Sequence, residues 1–218
     1  MEICGAVFEV AVHILAKAPM PGAVKTRLIP CLGPQGAARL QQWMTKRTVL
    51  TALRAAIGPV TLWCTPVLFQ PNLSHETAAY PLILRQQPDG DLGLRMGTAL
   101  NSTTTASGSL VIGTDCPILT VGHLQQASQS LRSGRDAFFL PTEDGGYFLA
   151  AMRRFHPMVF DDMAWSTQRV MTDTRTRLTA LGWRWSEPET VWDVDRPEDW
   201  QRLITLFPNL PLELTKND

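Results

Sequence analysis

Residues 109–117 (SLVIGTDCP) put a carboxylate, Asp115, directly after a short apolar run. An uncharged run of that length with Val and Ile in it reads as a strand buried on both faces. Pro117 cannot donate to a ladder and ends it. Asp115 then stands at the carboxyl edge of the sheet, where open α/β sheets bind ligands. Its chemistry there would be to hold a metal ion on a phosphorylated substrate; the plainer alternative is a cap for the next helix or turn. A second group lies after the first strand, where Lys17, Lys25, Thr26 and Arg27 bring three cations and a hydroxyl together in a Pro/Gly-rich loop. Such charge-assisted donors suit a compact phosphate, although the Walker A spacing is absent and a solvated basic turn has the same composition. A third is Glu143-Asp144-Gly145-Gly146 between apolar runs, which reads as a hairpin tip. Small glycines there would let a sugar or nucleoside approach the backbone, within reach of Glu143 or Asp144. The last is Asp193 and Asp195, on one face of an extended segment. Like charges so placed repel unless a cation or donors lie between them. Asp193 is assigned to the metal, and Asp195 to a helix cap or a supporting role ahead of Pro197.

The elements that must position these groups alternate in type. Strands are expected over 7–16, 60–65, 82–86, 110–113, 136–141, 148–152 and 183–186. Helices are expected over 33–57, 92–104 and 121–132, from Trp165-Ser166-Thr167 to 181, and from Pro197 to about 206. Asp91 caps the helix at 92, whereas Gln87 is freer to read a base or sugar edge. His75 is taken as a surface residue and His123 is given no role. Residues 1–207 form one domain, and 208–218 are expected to be a loose tail.

Bulk properties exclude several classes. The chain has 218 residues, 44% hydrophobic and 18% charged, with zero formal net charge, so there is no basic footprint for nucleic acid. No run is apolar enough for a membrane span. The four cysteines lack CxxC or metal-type spacing, and a reduced cytoplasmic protein is the expectation.

Six stretches occur in an order that resembles one known group: AKAPMPGAVKTRL from residue 16, QPDGDLGLRM from 87, VIGTDCP from 111, EDGGYFL from 143, WST from 165 and DVDRPEDW from 193. Together they resemble the bacterial DUF2064 proteins, a glycosyltransferase A-like family, over about residues 12–203. That family is similar to nucleotide-diphospho-sugar transferases and nucleotidylyltransferases. The resemblance implies a single Rossmann-like α/β domain with a mostly parallel sheet, and Mg²⁺ or Mn²⁺ as cofactor. It implies that Lys17, Lys25 and Arg27 line the nucleotide phosphates and that Gln87 lies near the base or ribose. Asp115 stands in the place of the acidic metal motif, as a single Asp and not a full DxD. Asp193 matches the second acidic position of the nucleotidylyltransferase relatives. The expected activity is transfer from a nucleotide-activated donor to a small-molecule acceptor, with Asp144 or Glu143 as base for a sugar transfer. Nucleotidyl transfer to a phosphorylated acceptor needs no such base. A nucleotide-binding module without chemistry is the alternative outside enzymes.

Overall fold

The computed structural model describes residues 9–73, 81–103, 105 and 107–214. Seven strands form one sheet: β1 Ala11–Lys17, β2 Val60–Thr65, β3 Leu82–Gln86, β4 Ser109–Ile112, β5 Ala137–Pro141, β6 Tyr147–Met152 and β7 Trp185–Ser186. Their order is β3-β2-β1-β4-β6-β5-β7. The β1–β2, β2–β3, β1–β4 and β5–β7 pairs are parallel; only β6 runs against its neighbours. The mostly parallel α/β sheet read from the sequence is the one observed.

Six helices flank it among the described residues: α1 Ile29–Ala55, α2 Leu92–Asn101, α3 Val121–Arg132, α4 Val170–Ala180, α5 Pro197–Leu206 and α6 Leu210–Glu213. Successive strand residues face opposite sides. Val12, Ile14, Leu62, Phe138 and Leu140 therefore pack with Val49 and Leu53 of α1 and Leu124 and Leu131 of α3. Trp63, Val111, Phe139 and Ala150 pack on the other face with Met96 and Leu100 of α2 and Met171 and Leu178 of α4. Central strands enclosed on both faces read as near-continuous apolar runs, and all four residues of β4 are buried, with the Ser109 hydroxyl donating to the Leu100 carbonyl at 2.8 Å.

Several boundaries differ from those expected. β1 begins at Ala11, and residues 1–8 and His75 lie outside the described residues. α1 starts at Ile29 and kinks at Gly33 (φ 67°) ahead of Pro34, so the Gly-Pro pair bends a helix that already exists. α4 starts at Val170, with no side-chain cap from Ser166 or Thr167. The Thr167 hydroxyl instead donates to the Ala164 carbonyl at 2.8 Å. The expected loose tail is packed as far as it is described: Leu210 and Leu214 join Leu40, Met44, Trp192, Val194, Trp200 and Leu203 in a third cluster. Apolar residues at 210 and 214 lie on one helix face, which is why α6 docks.

β1 sits between β2 and β4, so the chain leaves β1 and β4 on opposite sides of a crevice. Ligands bind in such crevices in open α/β sheets. The β5–β6 hairpin ends at the same edge. Its tip is fixed from outside, with Met171 N donating to the Gly145 carbonyl at 2.8 Å. Gly145 has φ 90°, and a Cβ there would collide with the Gln168 carbonyl oxygen. The glycine therefore serves packing of the 165–169 loop, not approach of a sugar. Gly145→Ala is expected to lower unfolding free energy by about 2–4 kcal/mol, from a left-handed conformation plus overpacking. Urea denaturation of the purified variant checks this.

Candidate active site

The first group of predicted residues does converge. Lys25 lies in the loop after β1, in the left-handed region (φ 47°), at the start of a single 3-10 turn over Thr26–Leu28. A left-handed conformation costs a lysine roughly 1–2 kcal/mol, so the surroundings must hold it there. The Lys25 side chain is itself anchored at its ammonium. Nζ donates to the Val194 carbonyl at 2.6 Å and lies 2.7 Å from Asp115 Oδ1, with the side chain only 4% exposed. The contact to Asp115 is one of charge: Oδ1 is enclosed and receives no well-directed hydrogen bond.

Asp115 is at the edge predicted for it and does not cap α3, whose cap is Thr120. Behind it, buried Gln41 of α1 donates to Thr114 Oγ1 at 3.0 Å and to Thr45 Oγ1 at 3.2 Å. The Asp115 carbonyl accepts from Val194 N at 2.9 Å. The segment carrying Val194 closes the site. Val191 pairs with Thr142 beyond the end of β5, and Trp192 and Val194 are buried, leaving Asp193 to the opposite side. Asp193 is pushed up from 3.8 to about 6, first by burial and then by the charges of Asp144 and Asp115. Asp144 is aimed by its own hairpin tip, where Oδ1 accepts from Thr142 Oγ1 at 2.5 Å and from Gly146 N at 3.0 Å. Asp115, Asp144 and Asp193 thus share one field, with Lys25 as the cation in contact with Asp115.

The other predicted residues are placed differently. Glu143 turns away: Arg202 of α5 donates to both of its oxygens at 2.9 and 3.1 Å, and the same guanidinium lies 4.3 Å over the Trp192 ring. Arg27 is paired with Asp195, both well exposed. Such a pair is worth little and opens readily. The Asp195 side chain does not cap α5; Asp199 closes that end, accepting from Asp195 N at 3.0 Å and Arg196 N at 2.7 Å. Gln87 is not free to read a base. Its Nε2 donates to the carbonyls of Ala16 at 3.0 Å and Trp63 at 2.9 Å, joining the ends of β1 and β2. Lys17 ends β1 on the exposed side, without an ion pair among the described residues. Asp91 caps α2 as expected, accepting from Leu94 N at 2.8 Å. His123 has work: it completes the α3 capping box and lies 3.0 Å from Glu189. Gln41, Val194 and Arg202 were not foreseen. The one available signal was a glutamine on the buried side of a long helix.

No group of three or more His, Cys, Asp or Glu side chains is arranged to hold a metal among the described residues. Magnesium does not require one, since it is commonly held by one or two carboxylates with substrate phosphates and waters completing the shell. Asp115 and Asp193 fit that requirement. They supply excess negative charge, an enclosed oxygen without a directed donor, and hard oxygen ligands.

A profile of the DUF2064 family, described as an uncharacterized protein conserved in bacteria, matches residues 48–167. The chain belongs to this family. Lys25 and Asp193 lie outside the matched residues, and the wider likeness comes from solved structures. A proposed nucleotide-diphospho-sugar transferase from Desulfovibrio desulfuricans G20 is 26% identical with a TM-score of 0.76, over 92% of this chain and 87% of that one. A CMP:2-keto-3-deoxy-manno-octonic acid synthetase solved with CTP is 13% identical (TM-score 0.53), over 92% of this chain and 99% of that one. The 4-diphosphocytidyl-2C-methyl-D-erythritol synthase of Anaerococcus prevotii DSM 20548 is 10% identical (TM-score 0.54), over 94% and 99%. These last two share the fold alone. No curated protein matches the chain. No helix among the described residues of this DUF2064 protein is long and apolar enough to cross a membrane.

The raised pKa of Asp193 has a measurable sign. Well below pH 3.8, folded and unfolded chains both hold its proton and ionisation costs nothing. Between there and about 6 the unfolded chain releases the proton first, so the folded state loses stability as pH rises; the loss is complete above 6. Asp193→Asn is therefore expected to raise Tm at pH 7.5 in chelator-treated buffer, with the gain shrinking toward pH 4. Thermal unfolding of the two proteins across that range checks it.

Proposed function

We propose that this DUF2064 protein is a metal-assisted transferase that moves a sugar from a nucleoside-diphosphate donor to a small-molecule acceptor. One observation carries the reading: Lys25, Asp115, Asp144 and Asp193 converge at the crevice between β1 and β4. The likeness to the Desulfovibrio protein over most of both chains supports it. Asp115 and Asp193 would hold Mg²⁺ or Mn²⁺, which when bound supplies a Lewis acid against the growing charge of the leaving diphosphate.

The chain's own residues do the rest. Lys25 is placed to share the leaving-group charge from a water-poor position, where a cation counts for more than in solvent. Arg27 can join it from the exposed rim once its pair with Asp195 opens. Asp144 is the base for the acceptor hydroxyl: Thr142 and Gly146 bond one of its oxygens and leave the other for substrate. Glu143 faces Arg202 of α5 in an exposed pair, and Asp144, aimed by its own hairpin tip, is the better-placed base.

Nucleotidyl transfer is the second reading. It is favoured by the shared fold of the two cytidylyl-transferring neighbours and by a single Asp at residue 115 in place of DxD. There the acceptor phosphate is itself the nucleophile, and Asp144 has no proton to remove.

The first experiment is a thermal-shift panel of nucleotides and nucleotide sugars with Mg²⁺, Mn²⁺ or chelator. A ligand at 100 times its Kd stabilises by about 2.7 kcal/mol, well within detection. The expected result is a metal-dependent shift with one nucleotide family, lost in Asp115→Ala; a flat panel would overturn the reading. A shift that persists in chelator without turnover would favour a binding module. Once the donor is known, Asp115→Ala should lower kcat roughly 10²–10³-fold, as for loss of one transition-state electrostatic anchor. Asp144→Asn should abolish sugar transfer, and retained sugar transfer would sink its assignment as base.

A further inference from the structure

The carboxylate cluster already has a cation. The Lys25 side chain is 4% exposed, its ammonium 2.7 Å from Asp115 Oδ1 and 2.6 Å from the Val194 carbonyl. Its backbone is left-handed at φ 47°, a conformation that costs a non-glycine residue roughly 1–2 kcal/mol. In the free protein the ammonium is committed to these two partners, and sharing the charge of a leaving diphosphate requires it to turn away from them. Asp115 Oδ1 is likewise not available to a metal, because two cations on one enclosed oxygen repel strongly where water is scarce. The contact is also poorly directed, so the oxygen loses no good hydrogen bond when the ammonium leaves. Without Lys25, Asp115, Asp144 and Asp193 would face one another uncompensated.

We propose that Lys25 is the resident counter-cation of this site in the free protein. A divalent cation entering at Asp115 then displaces the ammonium, which turns to the diphosphate that arrives with the metal. This rests on the metal–nucleotide reading above and deepens it. Lys25 becomes a positioning residue that keeps the carboxylates together between turnovers and discriminates against metal arriving alone. A diphosphate offers the displaced ammonium a new partner, so the pair binds better than the metal by itself.

The test uses Mn²⁺ alone and Mn²⁺ with inorganic pyrophosphate, read by electron paramagnetic resonance and calorimetry on the full chain. Lys25→Met keeps the length of the side chain and removes the charge. It is expected to bind Mn²⁺ alone roughly 10-fold tighter or more than wild type, the scale of removing a like charge from a shared ligand. It is expected to bind pyrophosphate more weakly in the presence of Mn²⁺. A lysine that merely braced the loop would give a variant weaker toward both, and Mn²⁺ binding no tighter than wild type overturns the proposal. Failure of pyrophosphate to bind wild type in saturating Mn²⁺ would count against the nucleotide-donor reading instead, because the exchange is judged on Mn²⁺ alone.

Should Lys25→Met not fold, the wild type answers through reductive methylation followed by peptide mass spectrometry. Lys25 is expected to be protected in chelator, to react faster in Mn²⁺, and to be protected again when pyrophosphate is added. A rate in Mn²⁺ no higher than in chelator would overturn the exchange.

Discussion

The site depends on one buried ammonium. Lys25 Nζ ties the loop after β1 to the loop after β4 through Asp115 and to the segment before α5 through Val194, 169 residues along the chain. Each of these pieces carries a carboxylate or the ammonium itself, and no helix or strand joins them directly. Enclosing a charge is costly unless it is paired and hydrogen-bonded, so the surrounding chain must be held in place for the arrangement to persist. The third core cluster supplies that rigidity. Trp192 and Val194 are buried against α1 and α5, which leaves Asp193 no alternative direction.

The electrostatics follow from this packing. Three carboxylates meet one contacting ammonium in a partly desolvated crevice, and Asp193 carries the strain as a pKa well above its ordinary value. Perturbation of that kind is common where a site is arranged for a ligand it does not yet hold. On the proposed metal-assisted reading, two carboxylates would suffice: an additional fixed carboxylate would raise the cost of the free site, whereas phosphate oxygens would arrive only with substrate.

Family and neighbours agree with this reading at the level they reach. The DUF2064 profile covers β2 to β6 but not β1, and the Desulfovibrio structure extends the likeness across nearly all of the chain. The cytidylyl-transferring neighbours show that the same fold accommodates a different reaction, and fold alone does not choose between them. The choice lies at Asp144, the one carboxylate whose role changes with the chemistry.

Much of the fold was legible in the sequence, because its signals are local. Apolar runs of strand length, helix-period stripes and Gly/Pro punctuation report what the nearest few residues must do, and they placed β4, β5, β6 and the capped start of α2 within a residue. Asp115 was legible for the same reason: a carboxylate after a buried strand has to stand at the sheet edge. The partners of Gln87, Glu143 and Arg27 were not legible, because a polar side chain in a loop has many groups within its reach, and only the folded chain selects one. Gln87 met the carbonyls of Ala16 and Trp63, Glu143 met Arg202, and Arg27 met Asp195. The burial of Lys25 and the docking of 210–214 were likewise decided by contacts far apart in sequence. What the sequence determined by itself was which residues could do chemistry and at which edge they would stand. Only the tertiary structure decided which of them face one another, because charge pairing and burial depend on distances in space, to which spacing along the chain is blind.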